Sequence, residues 1–156
     1  MNESSNHLDK QFHRAVKLVE TGDYHSLRVL LMQHPRLASK RDETNATLLV
    51  RLIDYPGNRP NAHKTARVLL VAGCDVDARR DANNGTALAG VLSTGEIDVA
   101  RVLLEFGANF RAKLGFKEGD VIDLAIELCS NDTNEKSGLS SAVRKLVADF
   151  TGLELE

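Results

Sequence analysis

The tetrapeptide Arg-Val-Leu-Leu occurs three times in this chain, at Arg28 to Leu31, Arg67 to Leu70 and Arg101 to Leu104. The second copy follows the first by 39 residues, and the third follows the second by 34. A second register has the same pitch with the longer step in between, because His13, Thr47, Thr86 and Asp120 follow one another at 34, 39 and 34. A recurring period of this length predicts repeated structural units stacked along the chain.

The offsets also locate two insertions in this 34-residue pitch. The step from the first to the second tetrapeptide is five residues too long, and Tyr55 to Asn61 is the segment richest in turn-forming residues there. The last unit is longer again by nine residues, and Asn131 to Gly138 accounts for most of them. Both segments are predicted to be loops, because Pro, Gly, Asn and Asp favour turns.

Each unit carries the apolar spacing of two short helices. In the third unit Val99, Val102, Leu103 and Phe106 follow the i, i+3, i+4, i+7 pattern of one buried stripe. The preceding stripe is separated from it by Thr94-Gly95, where glycine suits the left-handed residue that ends a helix. A pair of short helices buries only one face by itself, so neighbouring pairs are expected to stack.

Composition excludes several classes of protein. The 156 residues are 42% hydrophobic and 27% charged, with a net charge of -2, which is ordinary for a globular chain and lacks the basic field of a general nucleic-acid binder. No apolar run approaches the length of a membrane helix. The polar start of the chain lacks a secretory signal, so we expect a cytoplasmic protein in which Cys74 and Cys129 are thiols.

The third unit, Gly85-Thr86-Ala87-Leu88 through Gly95 to Asn109, resembles an ankyrin repeat. Gly73 to Ala78 of the second unit is similar to the Gly-Ala-Asp-Val-Asn-Ala segment of that family, whereas the Thr-Pro-Leu-His start of its first helix is degraded in every unit. The resemblance is to small stand-alone ankyrin proteins of bacterial type. It implies an all-α fold, an ankyrin-type α-solenoid (α-α superhelix) of four helix-turn-helix repeats with two loop insertions.

The predicted boundaries follow from this alignment. A polar tail covers residues 1–7, a single repeat domain covers 8–151 and a second tail covers 152–156. The repeats are expected at about 8–41, 42–80, 81–114 and 115–151.

The resemblance implies a non-catalytic protein-protein interaction module, an adaptor or inhibitor, whose concave side of loop fingers and first helices binds a protein partner. The residues add no chemistry to this. The five histidines contain no i, i+4 pair, and there is no phosphate loop and no Gly-x-Ser-x-Gly nucleophile elbow. We therefore expect no enzyme activity, no metal and no cofactor, and neither nucleic acid nor membrane as a partner.

Candidate partner-binding residues come from the finger register. Lys40, Arg79 and Lys113 share one loop position, and Arg41 and Arg80 share the next. The third finger continues with two further candidates, Phe116 and Lys117, and the first-helix register adds Arg51. Such a row predicts a partner with an acidic surface. The alternative is a solvated face, because acidic residues lie near the row in sequence and would neutralise it, among them Asp42, Glu43, Asp75, Asp77, Asp81 and Glu118.

A rival surface is offered by the first insertion, where Tyr55 is the candidate contact on the side away from the fingers. The alternative there is a tolerated surface loop. For the whole protein, the second hypothesis is a structural oligomerisation module that self-associates through its end repeats or through Cys74, whereas the adaptor hypothesis predicts a monomer.

Overall fold

The computed structural model describes residues 3–131 and 138–155, which form eight α-helices and no strand. The predicted all-α class is therefore confirmed. The helices are α1 (Glu3–Thr21), α2 (Tyr24–Gln33), α3 (Leu48–Ile53), α4 (Ala62–Val71), α5 (Ala87–Thr94), α6 (Ile97–Glu105), α7 (Val121–Asn131) and α8 (Leu139–Thr151). A short 3-10 helix over Pro35–Ala38 follows α2. Across these ranges, no helix has both the length and the apolar character needed to cross a bilayer.

Local signals in the sequence start and stop several of these helices. The carboxylate of Asp23 accepts a hydrogen bond from the backbone N–H of Ser26 at 3.1 Å, and Thr47 caps α3 through the N–H of Val50 at 3.2 Å. Gly95 ends α5 with φ at +78°. This left-handed conformation is energetically unfavourable for a residue with a Cβ but not for glycine. Polar caps and a left-handed glycine therefore set the short helix lengths that the repeat requires.

The helices pack in two layers. In one layer α1 contacts α3, α3 contacts α5 and α5 contacts α7; in the other α2 contacts α4, α4 contacts α6 and α6 contacts α8. The layers are joined within each consecutive pair, from α1 with α2 to α7 with α8. Each pair therefore lies against the pair that follows it along the chain.

The core runs continuously between the layers. Leu48 and Leu49 of α3, Leu88 of α5 and Leu103 of α6 are all fully buried, and they belong to one cluster that extends from α1 to α8. The central helix α5 carries five buried residues among eight, because α3, α6 and α7 cover three of its sides. Burial of this kind is what stabilises helices too short to persist alone in water.

The predicted insertions and tails can be placed only in part. The segment with Tyr55 lies between the end of α3 at Ile53 and the start of α4 at Ala62. In the second predicted insertion, residues 132–137 lie outside the described residues. At the amino end α1 begins at Glu3, so residues 3–7 of the predicted tail are helical; residues 1 and 2 lie outside the described part. At the other end α8 stops at Thr151, and residues 152–155 are not helical.

Truncation of one buried residue tests this core. Leu103→Ala should lower the free energy of unfolding by about 2 to 5 kcal/mol, because it removes a fully buried side chain from α6 between the layers. Urea unfolding followed by circular dichroism measures the change. Val71→Ala is the matched control on α4, and it should change stability by less than about 0.5 kcal/mol because Val71 is 73% exposed. A Leu103→Ala loss as small as that of the control would refute the burial.

Candidate functional site

The predicted finger residues lie on three successive loops that precede α3, α5 and α7. Arg41 of the first loop donates through Nη1 to the carbonyl oxygen of Asn45 at 2.7 Å and to that of Arg79 in the second loop at 2.6 Å. The side-chain amide of Asn45 in turn donates to the carbonyl oxygen of Arg80. Arg41 therefore braces one finger against the next, a task that the sequence did not indicate.

Arg80 makes the reciprocal contact, from the second loop back to the first. Its Nε donates to the carbonyl oxygen of Thr44 at 3.1 Å, while Nη1 and Nη2 donate to the two carboxylate oxygens of Asp54 at 3.3 and 2.7 Å. The hydrogen bond to Asp54 raises the pKa of Arg80 above its ordinary value. A two-pronged pair of this geometry fixes the guanidinium in one orientation.

Two further predicted cations are paired within the chain. Lys40 lies 2.7 Å from a carboxylate oxygen of Asp9 on α1, and its side chain is only 21% exposed. Arg51 on α3 lies between Glu20 at 3.8 Å and Asp42 at 3.9 Å. Lys40, Arg51 and Arg80 are therefore paired with carboxylates, as the alternative of a locally neutralised face requires, whereas Arg41 bonds to backbone carbonyl oxygens.

Asp42 is the centre of the first finger. Its side chain is 5% exposed, and its Oδ1 accepts hydrogen bonds from the N–H of Thr44 at 2.8 Å and from the N–H of Ala46 at 3.1 Å. Burial raises the pKa of Asp42, but the hydrogen bonds from Thr44 and Ala46 and the charge of Arg51 outweigh it, so the pKa lies below its usual value. The ionised carboxylate therefore stabilises the folded finger.

The remaining cations of the row are Arg79 on the second finger and Lys113 and Lys117 on the third finger. The backbone of the third finger turns back on itself, with the N–H of Leu114 bonded to the carbonyl oxygen of Gly119 at 3.0 Å. Lys117 pairs with Glu127 of α7, whereas Arg79 and Lys113 make no ion pair with any described residue. Arg79, Lys113, Phe116 and Lys117 line one open groove of about 1010 Å³.

Phe116 also borders a second cleft, which we call the finger cleft. This cleft of about 210 Å³ lies over α3 and α5, and its lining is Val50, Ile53, Asp54, Tyr55, Arg80, Asn84, Gly85, Thr86, Ala89, Gly90, Ser93 and Phe116. Tyr55 is 96% exposed and Phe116 is 55% exposed. The prediction that Tyr55 lies on a side away from the fingers is wrong, because it shares this cleft with Phe116 and Arg80.

The insertion that carries Tyr55 is tied to the units on both sides. The N–H of Asn58 donates to the buried carboxylate of Glu96 at 3.0 Å, and the side-chain amide of Asn61 donates to the carbonyl oxygen of Gly22 at 3.1 Å. This close approach requires glycine at position 22, because the Cβ of any other residue would clash with the carbonyl oxygen of Pro60. The insertion therefore links the turn after α1 to the turn after α5.

The roles of Asp54 and Ala89 in this region were not identified from the sequence. Asp54 is the acceptor that orients Arg80, and the small side chains of Ala89 and Gly90 leave room for the cleft. At Gly90 a Cβ would lie 3.1 Å from Cδ1 of Ile53, so even alanine would tighten the floor. In the sequence, an acidic residue directly after α3 and two adjacent small residues in α5 are by themselves weak signals of a binding cleft.

The described residues contain no group of three or more His, Cys, Asp or Glu side chains placed to hold a metal ion. Cys74 and Cys129 are buried thiols.

In comparisons with known proteins, no family model matches the chain and no curated protein matches it.

The role of Asp42 can be tested by pH. Because its pKa is lowered on folding, its stabilisation is present above the unfolded value near 3.8 and is lost as the pH falls through the folded value. Asp42→Asn should therefore lower the free energy of unfolding by about 1.5 to 3 kcal/mol at pH 7. The difference between variant and wild type should shrink at pH 3, as measured by urea unfolding at both values.

Asp81 provides the matched control, since it holds the same loop position 39 residues later and is exposed. Asp81→Asn should cost less than about 1 kcal/mol at pH 7. Equal losses for the two variants, or a loss at Asp42 that does not change with pH, would contradict the assigned role.

Proposed function

We propose that this chain is an ankyrin-type α-solenoid of four helix-turn-helix repeats. Three features support the proposal: the 34-residue pitch, the contacts of each helix with its counterpart in the next pair, and loops that bond to one another through Arg41 and Arg80. Stacked repeats of this kind present an extended surface along one layer of helices and its loops.

On this basis we infer that the protein is a non-catalytic interaction module, an adaptor or inhibitor, that binds a protein through its fingers and first helices. The observation that carries this inference is the finger cleft, where two aromatic side chains, Tyr55 and Phe116, stand exposed over a floor of Ala89 and Gly90. Exposed aromatic residues beside a small cleft are typical anchors of protein interfaces, because they bury large apolar area with little loss of side-chain entropy.

The cations of the fingers indicate which charge the partner's surface carries. Of the cations in the finger register, Arg41, Arg79 and Lys113 make no ion pair with a described carboxylate. Arg41 and Arg79 bond to backbone carbonyl oxygens, and Arg79 and Lys113 line the groove next to Phe116. We therefore propose that the partner places an apolar side chain in the finger cleft and an acidic group beside Arg79 and Lys113.

A doubly substituted variant tests this surface. Phe116→Ala combined with Lys113→Glu should weaken retention of the partner by at least about tenfold, since it removes an anchor and reverses a charge. The immobilised protein is incubated with lysate of its source, and retained proteins are quantified by mass spectrometry against wild type.

Val29→Ala combined with Lys145→Glu is the matched control. Val29 is 54% exposed on α2, and the side chain of Lys145 is 69% exposed on α8, so both lie on second helices rather than on the fingers or first helices. The control should retain the partner as wild type does, and both variants should unfold within about 0.5 kcal/mol of wild type. If the two variants retain the same proteins in the same amounts, the partner does not bind at the fingers.

The second candidate function is self-association through the end repeats. One observation favours it: Phe150 and Leu153 are 37% and 40% exposed beside a hollow of about 600 Å³ at the carboxyl end. A disulfide through Cys74 is a poor route, because burial, with a smaller effect from Asp75, raises the pKa of its thiol to about 12.

Sedimentation velocity over a range of concentrations separates the two functions. The interaction module should remain a monomer throughout. The oligomerisation module should form a dimer that Leu153→Ser abolishes, because a polar side chain would then face the apolar contact.

A further inference from the structure

We call the layer of α2, α4, α6 and α8 the outer layer. The Arg residues that begin the repeated tetrapeptide form an arginine ladder along it, with Arg28 on α2, Arg67 on α4 and Arg101 on α6. Nη2 of Arg67 lies 2.6 Å from a carboxylate oxygen of Glu105, and its Cζ lies 5.8 Å from the ring centroid of Phe106. The end of α6 thus offers Arg67 a carboxylate and, one residue later, an aromatic ring.

The next rung has the same chemistry. Nη1 of Arg101 lies 3.3 Å from a carboxylate oxygen of Asp149, and its Cζ lies 5.8 Å from the ring centroid of Phe150. An acidic residue directly followed by phenylalanine therefore recurs as the partner of a ladder arginine. The ion pair and the cation–π contact act on different parts of one planar guanidinium, so both are satisfied together.

The first rung lacks such a partner. In the 39-and-34-residue register, Val71 and Ala72 of the second unit hold the places of Glu105 and Phe106. Val71 is 73% exposed, and Arg28 makes no ion pair with any described residue. Arg28 therefore stands in the ladder with neither carboxylate nor ring.

A groove of about 350 Å³ lies between α2 and α4 at this rung, lined by Tyr24, His25, Arg28, His63, Lys64, Arg67, Val68 and Val71. Its lining contains no carboxylate and three formal cations, of which Arg67 is already paired with Glu105, so Arg28 and Lys64 are the cations without a described carboxylate partner. Lys64 lies over the ring of Tyr24 at 5.3 Å, so one cation is already placed beside an aromatic wall. The exposed Val71 adds an apolar surface at one end.

We propose that this groove binds a protein segment in which an acidic residue is directly followed by an aromatic one. The segment's carboxylate would pair with Arg28, and its ring would lie against Val71 and the guanidinium, as Glu105 and Phe106 do for Arg67. The cationic lining favours an acidic segment over a neutral one. The apolar end at Val71 favours a ligand with an aromatic ring over the phosphate backbone of a nucleic acid. This surface belongs to the outer helices and is independent of the finger cleft.

A short capped peptide with a single Glu-Phe pair in a neutral polar sequence is the probe. Binding is followed by fluorescence anisotropy of the labelled peptide with the full-length protein at low ionic strength. We expect saturable binding, with Gln-Phe and Glu-Ala peptides each weaker by at least about fivefold, because each loses one of the two contacts. Equal binding of all three peptides would overturn the proposal, as would no binding of the Glu-Phe peptide.

Variants of the protein locate the site. Arg28→Ala should weaken the Glu-Phe peptide by at least about tenfold. Val71→Glu should abolish binding without unfolding the protein, because it supplies the carboxylate that the other rungs have at an exposed position. Arg144→Ala is the matched control in the same register of α8, which lies outside the groove between α2 and α4, and it should bind like wild type.

Circular dichroism confirms that each variant is folded. The proposal is wrong if Arg28→Ala and Val71→Glu bind the peptide as wild type does. It is also wrong if an oligothymidylate of matched length displaces the peptide at equal concentration, since the groove would then be a nucleic-acid site. Phe116→Ala should leave peptide binding unchanged.

Discussion

Each helix pair of this chain leaves an apolar face that only the next pair can cover. Leu88 of α5 is fully buried because α3, α6 and α7 surround that helix, although α5 is only eight residues long. Helices this short have little stability of their own, so packing between successive pairs supplies it. The positions of the loops, the clefts and the outer grooves all follow from that stacking, because each surface is formed by two neighbouring pairs.

The same stacking explains how the chain uses its arginines. Arg41 and Arg80 bond across successive fingers, and Arg67 and Arg101 reach acidic side chains on the next helix of the outer layer. A long guanidinium side chain with several donors suits a contact that spans neighbouring units. Arginines that bond across neighbouring units are therefore structural, whereas Arg28 and Arg79 pair with no described carboxylate and are available to another molecule.

The sequence predicted the fold class well and the site only in part. Repeated tetrapeptides and helical spacing depend on local periodicity, so the all-α class and the position of α6 could be read directly from them. The site depends on side-chain partners that are far apart in sequence. Lys40 is paired with Asp9, and Asp54 orients Arg80, but no spacing rule connects these residues. Tyr55 shares a cleft with Phe116 because α3 packs on α5.

The sequence by itself determined a chain of short helices in repeating pairs, because apolar periodicity and glycine or polar helix ends act over only a few residues. Only the tertiary structure decided which cations are neutralised, that the exposed Tyr55 and Phe116 line one cleft, and that Arg28 makes no ion pair with any described residue. The physical reason is that ion pairs and clefts form between residues about 30 to 50 positions apart, such as Arg67 with Glu105 and Arg101 with Asp149, whose distances are set by how successive pairs pack.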